Sequence, residues 1–159
     1  MAMTITADNS HDHANCVADA IARAEALCQE QGLRLTARRR RVLELVWGSH
    51  CPVSAYDILE TLSQDGKRRA PPTVYRALDF LIDAGLVHRL DSLNAYIGCA
   101  DPSHAHVGQF LICTNCRLVE ELDAKEIEKL VGTTASQHGF AAESFGLEVQ
   151  GRCRSCSAA

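Results

Sequence analysis

No run of apolar residues in this chain approaches the ~18 that a membrane-crossing helix requires. The opening stretch, MAMTITADNSHDHANC, has neither a basic start nor an apolar core, so it does not read as a secretory signal. Internal repeats and low-complexity stretches are missing too, which excludes stacked-repeat architectures. Nor does any motif resemble a substrate pocket or an oxyanion device. These absences lead to the expectation of a cytoplasmic protein with no membrane partner, no small-molecule substrate and no catalytic activity. The 159 residues suffice for one ordinary domain or two small ones, and a small one needs more than its hydrophobic core to be stable.

What the chain does have is cysteine and an uneven charge. In a cytosolic setting, eight cysteines argue for metal ligation or thiol chemistry rather than a disulfide framework. The formal net charge of −4 conceals an asymmetry. Residues 1–32 hold one basic and five acidic groups, residues 33–90 ten and six, and residues 91–159 five and nine. Basic charge therefore gathers in the middle third, where an electrostatic footprint on DNA would sit.

Residues 1–14 are polar and aperiodic, the pattern of a flexible tail. Residues 16–31 carry apolar positions at helical spacing and stop at Gly32. Thr36 suits the N-cap of a second helix, ARRRRVLELVW, which ends at Gly48. Ser54 with Asp57 three residues on makes a capping-box start for a third, running to Gly66. Pro71 and Pro72 fit the first turn of a fourth, which runs to Gly85. The period then changes to that of a strand, and LVHRL and AYIGC flank DSLN as a β-hairpin. Helices followed by a hairpin outline a winged helix-turn-helix. Beyond it, VGQFLIC, RLVEEL, AKEIEKLVGTTASQH and AESFGLEVQ read as strand, strand, helix and strand. The expected class is α+β, with a tail over 1–14, a winged-helix domain over 15–92 and a small α/β domain over 93–159.

The strongest chemical signal is a pair of C-x-x-C motifs, Cys113/Cys116 and Cys153/Cys156. Two intervening residues let both thiolates of a pair turn toward one tetrahedral Zn²⁺ at ~2.3 Å. The 36 residues between the pairs exceed a compact zinc ribbon, but a strand, a helix and a strand would return the second pair to the first. A structural zinc would staple the small C-terminal unit. The competing use of such thiols is a redox dithiol. The isolated Cys16, Cys28 and Cys51 are expected as small buried hydrophobes.

A second cluster gathers at the hairpin: His88, Cys99, His104 and His106. With a two-residue turn at Leu93-Asn94, His88 and Cys99 would face each other across the strands, ~5 Å apart at Cβ. A slip of one residue would separate them. On a helical wheel of residues 73–84, Val74, Ala77, Leu78, Leu81 and Ile82 share one face and should pack inward. Arg76 lies nearly opposite, toward a major groove where it could pair with guanine, and Thr73 stands ready for phosphate or a thymine methyl. Tyr56 projects away from the Ile58/Leu62 face of its helix. Arg38–Arg41 span more than one turn, so one or two of them, Arg38 and Arg39, are expected at the duplex.

The stretch PPTVYRALDFL at 71–81 resembles the recognition helix of the ferric uptake regulator family. Arg34-Leu35-Thr36 before a basic helix, Ser54-Ala55-Tyr56-Asp57, the hairpin and both C-x-x-C pairs extend the resemblance over roughly residues 17–156, closest to the zinc uptake regulator branch. The resemblance implies a homodimer joined through the C-terminal domain. It also implies binding to palindromic double-stranded DNA operators when metal fills a sensory site at the hinge. Carried over by position, structural zinc falls on Cys113, Cys116, Cys153 and Cys156. The regulatory zinc falls on His88, Cys99, His106 and Glu121, with His104 in reserve and Glu120 the neighbour most easily confused with Glu121. That makes two Zn²⁺ per subunit. Tyr56 and Arg76 go to DNA by the same resemblance. Two departures stand out: Arg117 replaces a glycine common after the first C-x-x-C, and there is no histidine-rich C-terminal tail. The metal follows from Cys99. Iron- and peroxide-sensing relatives use nitrogen and oxygen ligands, whereas a thiolate in a mixed four-coordinate set suits Zn²⁺. Iron sensing is the alternative, and a thiol-disulfide enzyme a distant one.

Overall fold

The computed structural model describes residues 13–49, 51–64, 70–103, 106 and 108–158. The tail expected over 1–14 falls outside them up to residue 12, and His13 already belongs to the first helix. His104 also falls outside. The described residues group into two compact units, one up to residue 103 and the other from His106 onward.

The first unit opens with four helices, α1 (His13–Glu30), α2 (Ala37–Trp47), α3 (Ala55–Gln64) and α4 (Pro71–Asp83). Local chemistry sets their ends. Gly32 turns left-handed at φ 67° after α1, and Leu33 N–H closes onto the Cys28 carbonyl at 2.7 Å. Thr36 Oγ1 accepts from Arg39 N at 3.4 Å to cap α2. At α3, Ser54 Oγ accepts from Asp57 N and the Asp57 carboxylate accepts from Ser54 N, both at 3.1 Å, which completes the expected capping box. That bonding, the side-chain bond first, holds the Asp57 carboxyl below its ordinary range. Pro71 and Pro72 occupy the first turn of α4, where absent N–H groups cost nothing.

The four helices bury one apolar seam. Ile21 and Ala24 of α1, Val42 and Leu43 of α2, Ile58 and Leu62 of α3, and Leu78 and Leu81 of α4 meet in a single cluster. Each fully buried Leu or Val contributes about 1.5–3 kcal/mol. Val74, Ala77, Leu78 and Leu81 of α4 point inward as expected, and Ile82 packs half-buried at the edge of the cluster. Cys28 is buried in this seam, and desolvation raises its thiol pKa. Cys51, expected to be buried, is exposed instead; it lies in the short link between α2 and α3, its N–H bonded to Ser49 Oγ at 3.0 Å.

The wing is a hairpin of β1 (Val87–Leu90) and β2 (Ala95–Gly98) joined by a 3₁₀ turn over Asp91–Leu93. Its register pairs His88 with Ile97 and Leu90 with Ala95. The connection therefore has four residues, and the two-residue turn expected at Leu93-Asn94 does not form. Asn94 takes a left-handed φ of 46°, closing the 3₁₀ turn onto the Asp91 carbonyl at 3.2 Å. Val53 adds a single antiparallel bridge to Tyr96, which ties the link before α3 to the hairpin. The second hairpin strand pairs with β1 and packs on α2, so its contacts lie with the first unit rather than beyond the boundary expected near residues 91–93.

The second unit is a three-stranded sheet of β3 (Gln109–Cys113), β4 (Val119–Glu121) and β5 (Leu147–Gly151), in the order β4-β3-β5. The β3–β4 pair is antiparallel, whereas β3–β5 is parallel and crosses over through α5 (Lys125–Gln137). A single helical turn, α6 (Arg154–Ser157), closes the chain. Among the described residues, no helix is long and apolar enough to cross a membrane.

Candidate functional site

The four cysteines of the second unit meet because of the β3–β5 register. Cys113 ends β3 opposite Gly151, and Thr114 N–H and Oγ1 both bond the Gly151 carbonyl, at 2.8 and 3.1 Å. The first knuckle is thus tied to the chain just before Cys153. The four sulfurs lie within 4.8 Å of one another. Cys116 Sγ stands 3.7 Å from Cys153 Sγ, far beyond a disulfide bond of ~2.05 Å. It matches the ~3.8 Å edge of a tetrahedron with ~2.3 Å metal–sulfur bonds.

Donors converge on this cluster as they do on thiolates. Cys153 N–H points at Cys113 Sγ at 3.4 Å, and Asn115 Nδ2 reaches Cys156 Sγ at 3.2 Å. Backbone N–H groups of Cys116 and then Cys153 bring the Cys113 thiol down to about 6. Cys116 goes the other way, up to about 12. A backbone bond from Leu118 lowers it, but the neighbouring thiols and desolvation together outweigh that bond. Four thiols this close cannot all ionise unaided, whereas a divalent cation replaces their protons. The residues present fit a tetrahedral soft-metal site.

The remaining predicted ligands form two pairs, one in each unit. In the first, His88 on β1 and Cys99 just after β2 bring their ligand atoms within 4.8 Å. The register shift of two residues makes them diagonal neighbours instead of direct partners, and a shift of two preserves the sheet face. Cys99 is buried, its N–H bonded to the Leu86 carbonyl at 3.0 Å. In the second unit, His106 Nε2 lies 2.8 Å from Glu121 Oε1. Glu121 and Glu120 alternate along β4, pairing with Phe110 and Leu111, and it is Glu121 that meets the histidine.

The predicted DNA-facing residues lie on α2, α3 and α4. Tyr56 is 73% exposed at the start of α3. Arg76 is exposed on α4, and Thr73 is half-buried one turn before it. Tyr75, which the wheel argument passed over, is also exposed beside Arg76. The arginine run divides. Arg40 pairs with Glu25 and Glu44, and Arg41 with Glu44 at 3.2 Å. Arg39 stacks on Phe80 of α4, and Arg38 is left to solvent.

Residues 30–150 match the model of the ferric uptake regulator family. The chain belongs to that family. It is 38% identical to the zinc uptake regulation protein of Escherichia coli (strain K12) over 137 residues, covering 86% of this chain and 80% of the relative. It is 32% identical to the ferric uptake regulation protein of Yersinia pestis over 123 residues, covering 77% and 82%. A solved structure of a zinc uptake regulator complexed with zinc and DNA superposes with a TM-score of 0.85 at 36% identity, covering 89% of this chain and 95% of that one. Relatives of both zinc and iron branches pass 30% identity, so within the ferric uptake regulator family the metal has to be argued from the ligands. Arg117, in place of the family's frequent glycine, adopts φ 61° in the knuckle between Cys116 and β4. That left-handed conformation explains why glycine is favoured there.

Proposed function

We propose that this chain is a zinc-responsive transcriptional repressor that binds palindromic operators of zinc-uptake genes as a homodimer in the cytoplasm, without catalytic activity. The observation that carries the reading is the ligand chemistry of the second site. His88 with Cys99, and His106 with Glu121, each supply two donors. A four-coordinate ion needs both pairs, and a nitrogen, sulfur and oxygen set containing a buried thiolate suits Zn²⁺ over the harder iron ion. One zinc per subunit is structural, on Cys113, Cys116, Cys153 and Cys156. The other is regulatory, on His88, Cys99, His106 and Glu121.

A bound ion supplies a crosslink between the two ligand pairs, and the chain's own residues do the rest. His88 and Cys99 belong to the wing, whose strands pack on α2 and α4; His106 and Glu121 belong to the sheet that the four-cysteine zinc would staple. Holding both pairs restricts the angle between the units. In a dimer, that angle sets the separation of the two α4 helices, which must match half-sites spaced by ~34 Å per helical turn. Without the restraint the docking-competent state is less populated, and apparent affinity falls by that fraction. Arg76 and Thr73 on α4, with Tyr56, would then read the major groove, and Arg38 would contact phosphate.

Titrating metal into the metal-depleted regulatory site, with operator binding as the readout, tests the assignment. A zinc-transporter promoter fragment should be bound at a far lower buffered concentration of Zn²⁺ than of Fe²⁺ or Mn²⁺. Preferential activation by Fe²⁺ would make this an iron-responsive member of the family.

A further inference from the structure

Arg39 sits on the first turn of α2, yet the tip of its side chain rests on the recognition helix. Its guanidinium carbon lies 3.5 Å from the centroid of the Phe80 ring. Its Nη1 donates to the Arg34 carbonyl at 2.6 Å. Its backbone N–H is held by Thr36 Oγ1. Root and tip are both fixed, and the charge lies close enough to the buried Cys28 to oppose the rise in that thiol's pKa. Phe80 follows Arg76 by four residues, one turn along the same side of α4. A planar cation clamped between a loop carbonyl and this ring therefore braces the helix one turn from its base-reading arginine.

We infer that Arg39 is a positioning residue for α4 and not a phosphate contact. The inference rests on the DNA-binding reading above, and it reverses the role expected for Arg39 from the basic run alone. A guanidinium lies flat on an aromatic face and donates along its plane at the same time, whereas an ammonium is a compact point charge with no plane to stack, so it reproduces the charge but not this geometry. A phosphate contact needs only the charge. The two roles therefore respond differently to Arg39→Lys.

The test uses the full-length zinc-loaded protein, a zinc-transporter promoter fragment and a scrambled duplex, each over a salt series below every variant's melting transition. Arg39→Lys and Phe80→Leu should each weaken promoter binding by roughly 2- to 30-fold. The two effects should not add in the double variant, because one contact is lost in both. Phe80→Tyr, which keeps the ring face, should retain wild-type affinity. Affinity for the scrambled duplex and the salt slope should stay unchanged in all of these, and in Arg39→Gln. The inference is overturned if Arg39→Lys binds like wild type while Arg39→Gln weakens both duplexes and lowers the salt slope by about 0.9. Arg76→Ala run alongside separates the two levels. If it leaves promoter affinity unchanged, the DNA-binding surface itself is misassigned.

Discussion

Gly98 lies one residue before Cys99, and a side chain there has no room. A Cβ built on it would fall 2.3 Å from Cε2 and Nε1 of Trp47, the last residue of α2. The Trp47 ring is also covered by the Arg23 guanidinium at 5.8 Å, and Arg23 Nη1 donates to the Ala100 carbonyl at 3.1 Å. The backbone on either side of Cys99 is therefore held by α2 and α1. Gly98→Ala should force the indole aside and destabilise the protein by about 1–3 kcal/mol, the usual range for overpacking. Because the chain has a single tryptophan, its fluorescence reports on this contact directly. An unchanged melting temperature and emission spectrum in Gly98→Ala would show that the wing is not packed this way. Arg117 teaches the complementary lesson. The resemblance to the family flags the missing glycine, but only the backbone angle supplies its cause.

At the scale of elements, the helices were legible because their ends are written in single residues: Thr36, Ser54 with Asp57, the two prolines and Gly85. The hairpin was legible as a pair of strands, but its register was not. A period of two places side chains on faces without counting the residues in the turn, and Asn94 in a left-handed 3₁₀ closure consumed two more than expected. His88 and Cys99 still share one face of the hairpin because the slip was even. The parallel β3–β5 pairing could not be read from periodicity, although the need to reunite two C-x-x-C pairs pointed to it. Cys51 shows the limit of residue-type averages, since a small apolar residue on a short link finds nothing to cover it.

One element remains unexplained by a single copy of the chain. No residue of α5 is buried, and its apolar stripe leaves Leu130 66% exposed, with Ile127 exposed beside it. On the sheet, Leu111 and Val149 are register partners and both exposed. A helix with an apolar stripe is stable when that stripe is covered, and the homodimer proposed above would supply the cover. Leu130→Glu should yield monomers that keep the four-cysteine zinc, as read by sedimentation and metal content. Dimers of wild-type stability in that variant would move the interface elsewhere.

Over the whole molecule, an acidic pI of about 5.9 hides the basic middle third that would face DNA. A single regulatory zinc held by the two ligand pairs proposed above would couple metal to operator. Coupling is reciprocal, so operator DNA must tighten zinc binding at this site by the factor that zinc tightens DNA. The most direct measurement is operator affinity of Cys99→Ser across a series of buffered free-zinc concentrations. Cys99→Ser should remain a folded dimer that retains its structural zinc, with half-maximal operator binding displaced to much higher free zinc. A zinc response indistinguishable from wild type would contradict it.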